Sequence, residues 1–139
     1  MQEYISKQQQ VLRPAEQIYA VISRFDNLTP ALADKVADEG YDAVFLMGVG
    51  GTWDELMQLE YLMNKFGDRD LEVYLIHAAE WNVMGHKRMT EKSVVLTASE
   101  SGTTPEVLEA VKKMKEMGVR VYAMTKPEGP IGQAVGAEN

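Results

Sequence analysis

Short apolar runs alternate with longer amphipathic segments from about residue 41 onwards. Four runs are almost continuously apolar, with little polar alternation: residues 43–47, 73–76, 94–96 and 119–124. Continuous apolar runs of this length are typical of strands that are buried on both faces of a parallel sheet. The intervening segments have helical periodicity, so the pattern predicts a strand–helix alternation.

The segment 54–66 is predicted to be a helix that follows the first strand. Its apolar residues recur at steps of three and four, which places on one inward stripe Leu56, Leu59, Met63 and Phe66. Gly67 follows directly, and glycine is suited to a left-handed turn at the C-terminus of a helix.

The segment 105–117 is predicted to be a second helix with clear boundary signals. Thr104 is a candidate N-cap, Pro105 suits the first helical position and Gly118 follows the end. The inward positions are Val107, Leu108, Val111 and Met114.

The first forty residues form a separate helical segment in this interpretation, and residues 41–139 form the main domain. Apolar residues from Val11 to Phe25 recur on one face, interrupted by Pro14, and Thr29 is placed to cap a short helix with Pro30 at its first position. The predicted fold class of the main domain is α/β: a three-layer, open, parallel sheet of flavodoxin-like type with strand order 2-1-3-4 and right-handed crossovers.

Two loops of this fold have a composition that suits an anion. Residues 48–53 follow the first strand and are rich in glycine, and residues 97–104 follow the third strand and carry hydroxyls on Thr97, Ser99, Ser101, Thr103 and Thr104. In the order 2-1-3-4 both loops leave neighbouring strands whose following helices cover opposite faces, the usual place for a ligand in such sheets. Helix N-termini there supply free amides and partial positive charge.

Each loop taken alone is also consistent with a purely structural role, because Ser and Thr commonly cap helices and Gly commonly permits turns. Their pairing at one switch point favours a binding site. Neither loop contains Lys or Arg, so the expected ligand is a small phosphorylated metabolite held moderately by neutral donors. Trp53 stands where the dinucleotide fingerprint has its third glycine, and there is no Walker lysine.

Composition narrows the possible functions further. The 139 residues carry 14 Lys and Arg against 21 Asp and Glu, a net charge of −7, with no Cys and two His. The lack of Cys excludes disulfides and Cys-based metal sites, and two His residues leave little for a metal site built from His alone. The net negative charge argues against nucleic-acid binding. No apolar run reaches the about 18 residues of a membrane span, and no secretory signal is visible, so the expected location is the cytoplasm.

The ordered motifs resemble those of the sugar isomerase (SIS) domain family over residues 41–139. The octapeptide 99–106, Ser-Glu-Ser-Gly-Thr-Thr-Pro-Glu, is similar to the family's phosphate loop, Ser-x-Ser-Gly-x-Thr. Gly48–Thr52 looks like its glycine-rich loop, and Ala79-Glu80-Trp81 resembles its Ser-Glu-Phe segment. The arrangement most resembles the group of fructoselysine-6-phosphate and glucoselysine-6-phosphate deglycases, with only their N-terminal SIS half present.

The resemblance implies a set of phosphosugar-binding residues: Gly50, Gly51, Thr52, Ser99, Glu100, Ser101, Gly102 and Thr104, with Glu80 as a possible sugar contact. Glu100 replaces the Gln of many members, and Gly51 and Thr52 replace a Thr-Ser or Ser-x pair. A carboxylate at position 100 repels a phosphate unless its side chain points to solvent.

The resemblance also implies a function and a place for the chemistry. The chain is expected to bind a phosphorylated ketose or ketosamine, as the N-terminal half of a homodimeric isomerase or deglycase that needs no cofactor. The fifth SIS strand is not seen before Asn139, so a truncated segment is expected, with the acid/base Glu and His in a second SIS unit. Two alternatives stay open: a non-catalytic phosphosugar sensor and, more distantly, a flavin mononucleotide protein.

The chain's own histidines are weaker catalytic candidates. His77 ends a predicted strand, and His86 lies in a polar connection beside Lys87 and Arg88. Structural or solvated roles are expected for both, although imidazole titrates near neutral pH.

Overall fold

The computed structural model describes residues 30–67 and 70–136. The chain divides after Gly40 into two compact units. Residues 30–39 are helical (α1), which agrees with the helix predicted to begin at Pro30. Its predicted cap, Thr29, and the apolar positions from Val11 to Phe25 lie outside the described residues.

The second unit alternates strands and helices as the sequence predicts. In chain order its elements are β1 Val44–Gly48, α2 Gly51–Phe66, β2 Val73–His77, α3 Ala78–Met84, β3 Val94–Ser99, α4 Pro105–Glu116, β4 Arg120–Thr125 and α5 Pro130–Val135. All four predicted strands are confirmed, with boundaries that differ by at most three residues. Helix α2 begins at Gly51, three residues before the predicted start.

The sheet is entirely parallel with the order β2-β1-β3-β4, which confirms the predicted flavodoxin-like arrangement. The register pairs Gly48 with His77 on one side and Met47 with Thr97 on the other. The carboxyl ends of β1, β2 and β3 therefore lie at one edge of the sheet, where their following loops begin.

The two faces of the sheet have separate apolar clusters. On one face, Leu56 of α2 packs with Val44, Leu46 and Val73. The cluster on the other face contains Phe45 and Met47 of β1 together with the inward residues of α4, namely Val107, Ala110, Val111 and Met114. Helices α2 and α4 therefore cover opposite faces, and the topological switch point lies between β1 and β3.

The inward stripe predicted for α2 is partly wrong. Leu56 is buried and Met63 packs against the same cluster, but Leu59 is 38% exposed and Phe66 is 73% exposed. Leu59 and Phe66 lie about 60–80° around the helix from Leu56. Helix α2 packs mainly on β1 and β2, on the side of the sheet away from β4. These two side chains therefore lie outside the part of the helix surface that contacts the sheet.

Gly67 ends α2 as predicted, but not in a left-handed conformation. Its φ is −71° and its ψ is 173°, which is extended backbone. A Cβ at this position would lie 2.4 Å from the carbonyl oxygen of Met63, so close approach to the last helical turn requires the glycine. At the end of α4, by contrast, Gly118 has a φ of 80°, in the left-handed region that favours glycine.

Candidate phosphate site at the switch point

The two predicted binding loops leave adjacent strands that are joined at their carboxyl ends. The buried hydroxyl of Thr97 on β3 donates a hydrogen bond of 2.8 Å to the carbonyl oxygen of Met47 on β1. Neighbouring parallel strands are about 4.8 Å apart. The glycine-rich loop after β1 and the hydroxyl-rich loop after β3 therefore begin side by side, which is the juxtaposition the sequence predicted.

The first loop is a tight connection between β1 and α2. Gly50 has a φ of 57°, and its carbonyl oxygen accepts bonds from the amides of Trp53 and Asp54 at 3.0 and 3.1 Å. The Thr52 hydroxyl donates to the carbonyl oxygen of Val49 at 2.9 Å, and it accepts from the Val49 amide at 3.3 Å. Thr52 thus stabilises its own loop and makes no bond across to the second loop.

The second loop is organised around Ser99, which is buried. Its Oγ lies 3.1 Å from Thr104 Oγ1, and it accepts a bond of 3.2 Å from the amide of Gly102. Two hydroxyl protons are available to this Ser99–Thr104 pair, and their mutual bond uses one of them. The other hydroxyl proton of the pair is not used by these bonds.

Ser101 is the exposed hydroxyl of the same loop. Its oxygen accepts bonds from the amide and the hydroxyl of Thr103, at 3.2 and 3.1 Å. Both contacts use the Ser101 oxygen as acceptor, so neither of them uses the Ser101 hydroxyl proton. Ser101 is therefore a donor at the rim of the loop.

Gly102 brings the second loop against the chain that follows β4. Its φ is 71°, and a Cβ there would lie 3.2 Å from Thr125 Oγ1. Thr125 donates to the carbonyl oxygen of Ser99 at 2.8 Å, and the amide of Ile131 donates to the carbonyl oxygen of Gly102 at 3.0 Å. The hydroxyl-rich loop is thus held from behind by β4 and α5.

The helices that follow the two loops have no side-chain caps. Thr104 stands at the N-cap of α4 with Pro105 next, as predicted, but its hydroxyl bonds to Ser99 and makes no capping hydrogen bond. Gly50 at the N-cap of α2 has no capping side chain. The amides of Gly51 and Thr52 in α2, and those that follow Pro105 in the first turn of α4, are consequently left without a side-chain partner, and oxyanions bind such amides readily.

Charge near the loops is mixed. Glu100 is exposed, consistent with a carboxylate that points to solvent, and Asp54 and Glu106 lie in the first turns of α2 and α4. Lys126, which follows β4, is the cation that sequence reasoning missed: a Cβ on Gly102 would lie 3.6 Å from Lys126 Cβ. No sequence motif connects these two positions, because only the β3–β4 pairing brings them together.

His77 and Glu80 lie at the same edge of the sheet, His77 at the end of β2 and Glu80 just after it. His77 is the last residue of β2 opposite Gly48, and its ring lies 6.3 Å from that of Trp53 in an edge-on arrangement. Glu80 is exposed in the first turn of α3. The indole Nε1 of Trp53 is buried without a hydrogen-bond partner, a second feature that the sequence did not indicate.

His86 has a packing role away from the loops. Its ring contacts those of Tyr74 and Phe45, with centroid distances of 4.7 and 5.1 Å. Burial, together with the positive charges of Lys87 and Arg88, lowers the pKa of His86. A neutral imidazole packed on two aromatic rings agrees with the structural role expected from the sequence.

The described residues were also compared with what a metal site and a membrane-spanning helix require. In residues 30–67 and 70–136, no group of three or more His, Cys, Asp or Glu residues is arranged to hold a metal ion. Nor does the described part of the chain contain a helix with the length and apolar character that crossing a bilayer requires.

Comparison with known proteins supports the resemblance seen in the motifs. The chain is 31% identical over 93 residues to the fructosamine deglycase FrlB of Bacillus subtilis, a match covering 66% of this chain and 28% of the relative. It is 24% identical over 120 residues to the fructoselysine 6-phosphate deglycase of Escherichia coli, which covers 86% and 35% respectively. The chain thus spans about a third of the length of these relatives. No model of a known protein family matches it.

Solved structures show the same fold. A crystal structure from Bacillus subtilis described as a phosphosugar isomerase has a TM-score of 0.66 and 28% identity, covering 73% of this chain and 32% of that one. A Salmonella typhimurium protein described in the same way has a TM-score of 0.69 and 22% identity, with coverage of 75% and 31%, and shows the fold alone. In its strand order, its loop motifs and its matched relatives, this chain is similar to SIS-domain proteins.

Proposed function

We propose that this chain binds the phosphate group of a phosphorylated ketose or ketosamine between the loops after β1 and β3. The observation that carries the proposal is the pairing of two uncapped helix N-termini at one switch point, beside a hydroxyl pair with a proton to donate. Phosphate oxygens accept hydrogen bonds from amides and hydroxyls of this kind. The relatives' names, which specify fructosamine and fructoselysine 6-phosphate deglycases, supply the sugar class.

In this proposal the residues of the second loop hold the phosphate directly. The Ser99–Thr104 pair donates its spare proton, Ser101 donates from the rim, and the first-turn amides of α4 that follow Pro105 face the same group. Gly50 and Gly51 let the backbone of the first loop approach the phosphate closely, and Thr52 would turn its hydroxyl from Val49 towards the ligand. Glu100 contributes its amide while its carboxylate stays in solvent, and Glu80 approaches the sugar.

Lys126 supplies the positive charge that neither loop contains. Its Cβ lies next to Gly102, and its flexible side chain is exposed, so the ammonium group can reach an oxyanion at the loop.

We expect Lys126→Met to weaken phosphosugar binding several-fold, and to reduce the loss of affinity on raising salt from 50 to 500 mM, since an exposed charge is strongly screened. Titration calorimetry at the two salt concentrations checks this, with Lys92→Met, at the other edge of the sheet, as control. An unchanged affinity in Lys126→Met would contradict the role given to Lys126.

The whole protein is proposed to be a cytoplasmic isomerase or deglycase that acts on such a sugar phosphate. Both reactions remove a proton beside a carbonyl or imine carbon and return one elsewhere. Holding a remote phosphate fixes the reacting carbons against an acid and a base, and this positioning lowers the barrier. This chain would supply the anchor, while the acid/base groups come from the rest of a protein about three times as long.

The anchor is tested by titrating the 139-residue chain with fructose 6-phosphate and with a fructosamine 6-phosphate. We expect binding of both and none of unphosphorylated fructose. Thr104→Val and Ser101→Ala should each weaken binding about tenfold or more, since hydrogen bonds to charged groups contribute roughly 1.5–3 kcal/mol.

Thr90→Val is the matched control for these variants. It removes the same kind of hydroxyl at the opposite edge of the sheet, where Thr90 bonds to Asp42 just before β1. Its affinity should equal that of the unmodified chain. Equal affinities in the Thr104→Val, Ser101→Ala and Thr90→Val variants would refute the assignment of the loop.

A further inference from the structure

The outer surface of α2 is unusually apolar for an exposed helix face. Five large apolar side chains of this helix are more than a third exposed: Met57 44%, Leu59 38%, Tyr61 57%, Leu62 49% and Phe66 73%. Single exposed apolar residues are ordinary, but a contiguous group on one element marks an interaction surface. The phosphate site takes only the N-terminal turn of α2, so it meets this surface at Asp54 and leaves the remainder unused.

The central part of this surface is a stripe that faces away from the sheet, and we call it the α2 stripe. Its members are spaced by three and four residues and lie opposite the buried Leu56: Asp54, Met57, Gln58, Tyr61, Leu62 and Lys65. The first five line one shallow depression on the protein surface. This spacing is the one by which a helix presents a seam to another helix.

The α2 stripe is complementary to itself when turned end to end. A two-fold axis that passes between residues 59 and 60 places Asp54 opposite Lys65, Met57 opposite Leu62 and Gln58 opposite Tyr61. Each pair occurs twice across such an axis, as in any isologous interface. The opposite charges therefore meet at both ends of the seam while apolar side chains meet at its centre.

The Lys65 side chain already lies over this surface. Its Nζ donates to the hydroxyl of Tyr61 at 2.7 Å and lies 5.1 and 5.5 Å from the ring centroids of Tyr61 and Phe66. The ammonium group is thus positioned at the apolar stripe, where a carboxylate from an antiparallel helix would approach it.

We propose that α2 is the dimer interface of this chain, pairing antiparallel with α2 of a second copy about the two-fold axis described above. The charge pattern favours a second copy over any other occupant, because the acidic and basic ends are matched by the helix's own sequence. Antiparallel packing also sets the N-terminal end of each helix dipole beside the C-terminal end of the other. The usual interaxial distance of about 8–10 Å is compatible with side chains of this size.

A charge exchange tests both the partner and the register. Sedimentation equilibrium of the 139-residue chain should show a monomer–dimer equilibrium. Asp54→Lys and Lys65→Asp should each raise the dimer Kd about tenfold, because like charges then meet at both ends of the seam. The double variant Asp54→Lys/Lys65→Asp should return to within about threefold of the unmodified chain, since reversal of both partners restores opposite charges.

Leu62→Glu tests the apolar centre, with Val83→Glu on α3 as its matched control. Val83 is 86% exposed and belongs to a different helix, so only Leu62→Glu should abolish the dimer, while circular dichroism shows both variants folded. The proposal is overturned by a chain that is monomeric at hundreds of micromolar, by a dimer that survives Leu62→Glu, or by a double charge variant that fails to recover. Phosphosugar titration of Leu62→Glu and Lys65→Asp, which lie outside the first turn of α2, keeps this outcome separate from that of the phosphate site.

Discussion

Gly102 shows how much of the proposed site depends on one residue without a side chain. Its φ of 71° is unfavourable for any residue with a Cβ, and that Cβ would lie 3.2 Å from Thr125 Oγ1. We expect Gly102→Ala to lower the free energy of unfolding by about 1–3 kcal/mol and to weaken phosphosugar binding, because the loop must shift.

Gly51→Ala is the control for Gly102→Ala. Gly51 lies in the first turn of α2, and the space that a methyl group would occupy there is open, so the same change should leave stability unchanged or slightly higher. Urea unfolding of both variants checks the contrast. A Gly102→Ala variant as stable as Gly51→Ala would show that the loop tolerates a side chain.

His86 gives a second prediction at this scale. Burial and two neighbouring cations lower the pKa of His86 in the folded chain, so the unfolded chain binds a proton more readily. The contribution of the neutral ring is therefore fully present above about pH 6.5 and is lost progressively as the pH falls below that value.

Thermal unfolding between pH 7.5 and 5.5 checks this direction. We expect the melting temperature of the unmodified chain to fall over this range more than that of His86→Phe, whose ring keeps the contacts with Phe45 and Tyr74. Parallel pH profiles for the two proteins would mean that His86 does not contribute. Phosphosugar affinity should be the same in both, because His86 lies away from the loops.

At the scale of elements, helix α2 separates what periodicity can and cannot predict. Spacing at three and four residues placed Leu56 and Leu59 on one stripe, yet only Leu56 is buried. We expect Leu56→Ala to cost about 2–5 kcal/mol of stability, and Leu59→Ala under about 1 kcal/mol. Chemical denaturation of the two variants measures the difference. Similar losses would show that both side chains pack in the core.

The strands and the ends of α4 were predictable because their signals are local. Continuous apolar runs mark strands that are covered on both faces, and Thr104, Pro105 and Gly118 mark the helix boundaries directly. The burial of α2 was not predictable in the same way, since it depends on how far the sheet extends beneath the helix. The bond from Thr104 to Ser99 also depends on tertiary position, as the sequence indicated only a cap.

For the whole molecule, the sequence predicted the strand order and hence that the two loops share a switch point. Lys126 was missed because it is brought beside Gly102 only by the pairing of β3 with β4. The unpartnered indole of Trp53 likewise has no sequence signal. Motif resemblance therefore located the loops, while the sheet topology determines which other side chains surround them.

Helix α2 takes part in three separate features of the molecule. Its first turn borders the loop after β1, Leu56 packs it against the sheet, and its outward side carries the α2 stripe. Most of its sixteen residues therefore belong to one of these three features. Related chains that keep this architecture should tolerate replacement more readily on the exposed positions of α4 than at Leu56 or in the α2 stripe, and a deep mutational scan would measure that difference.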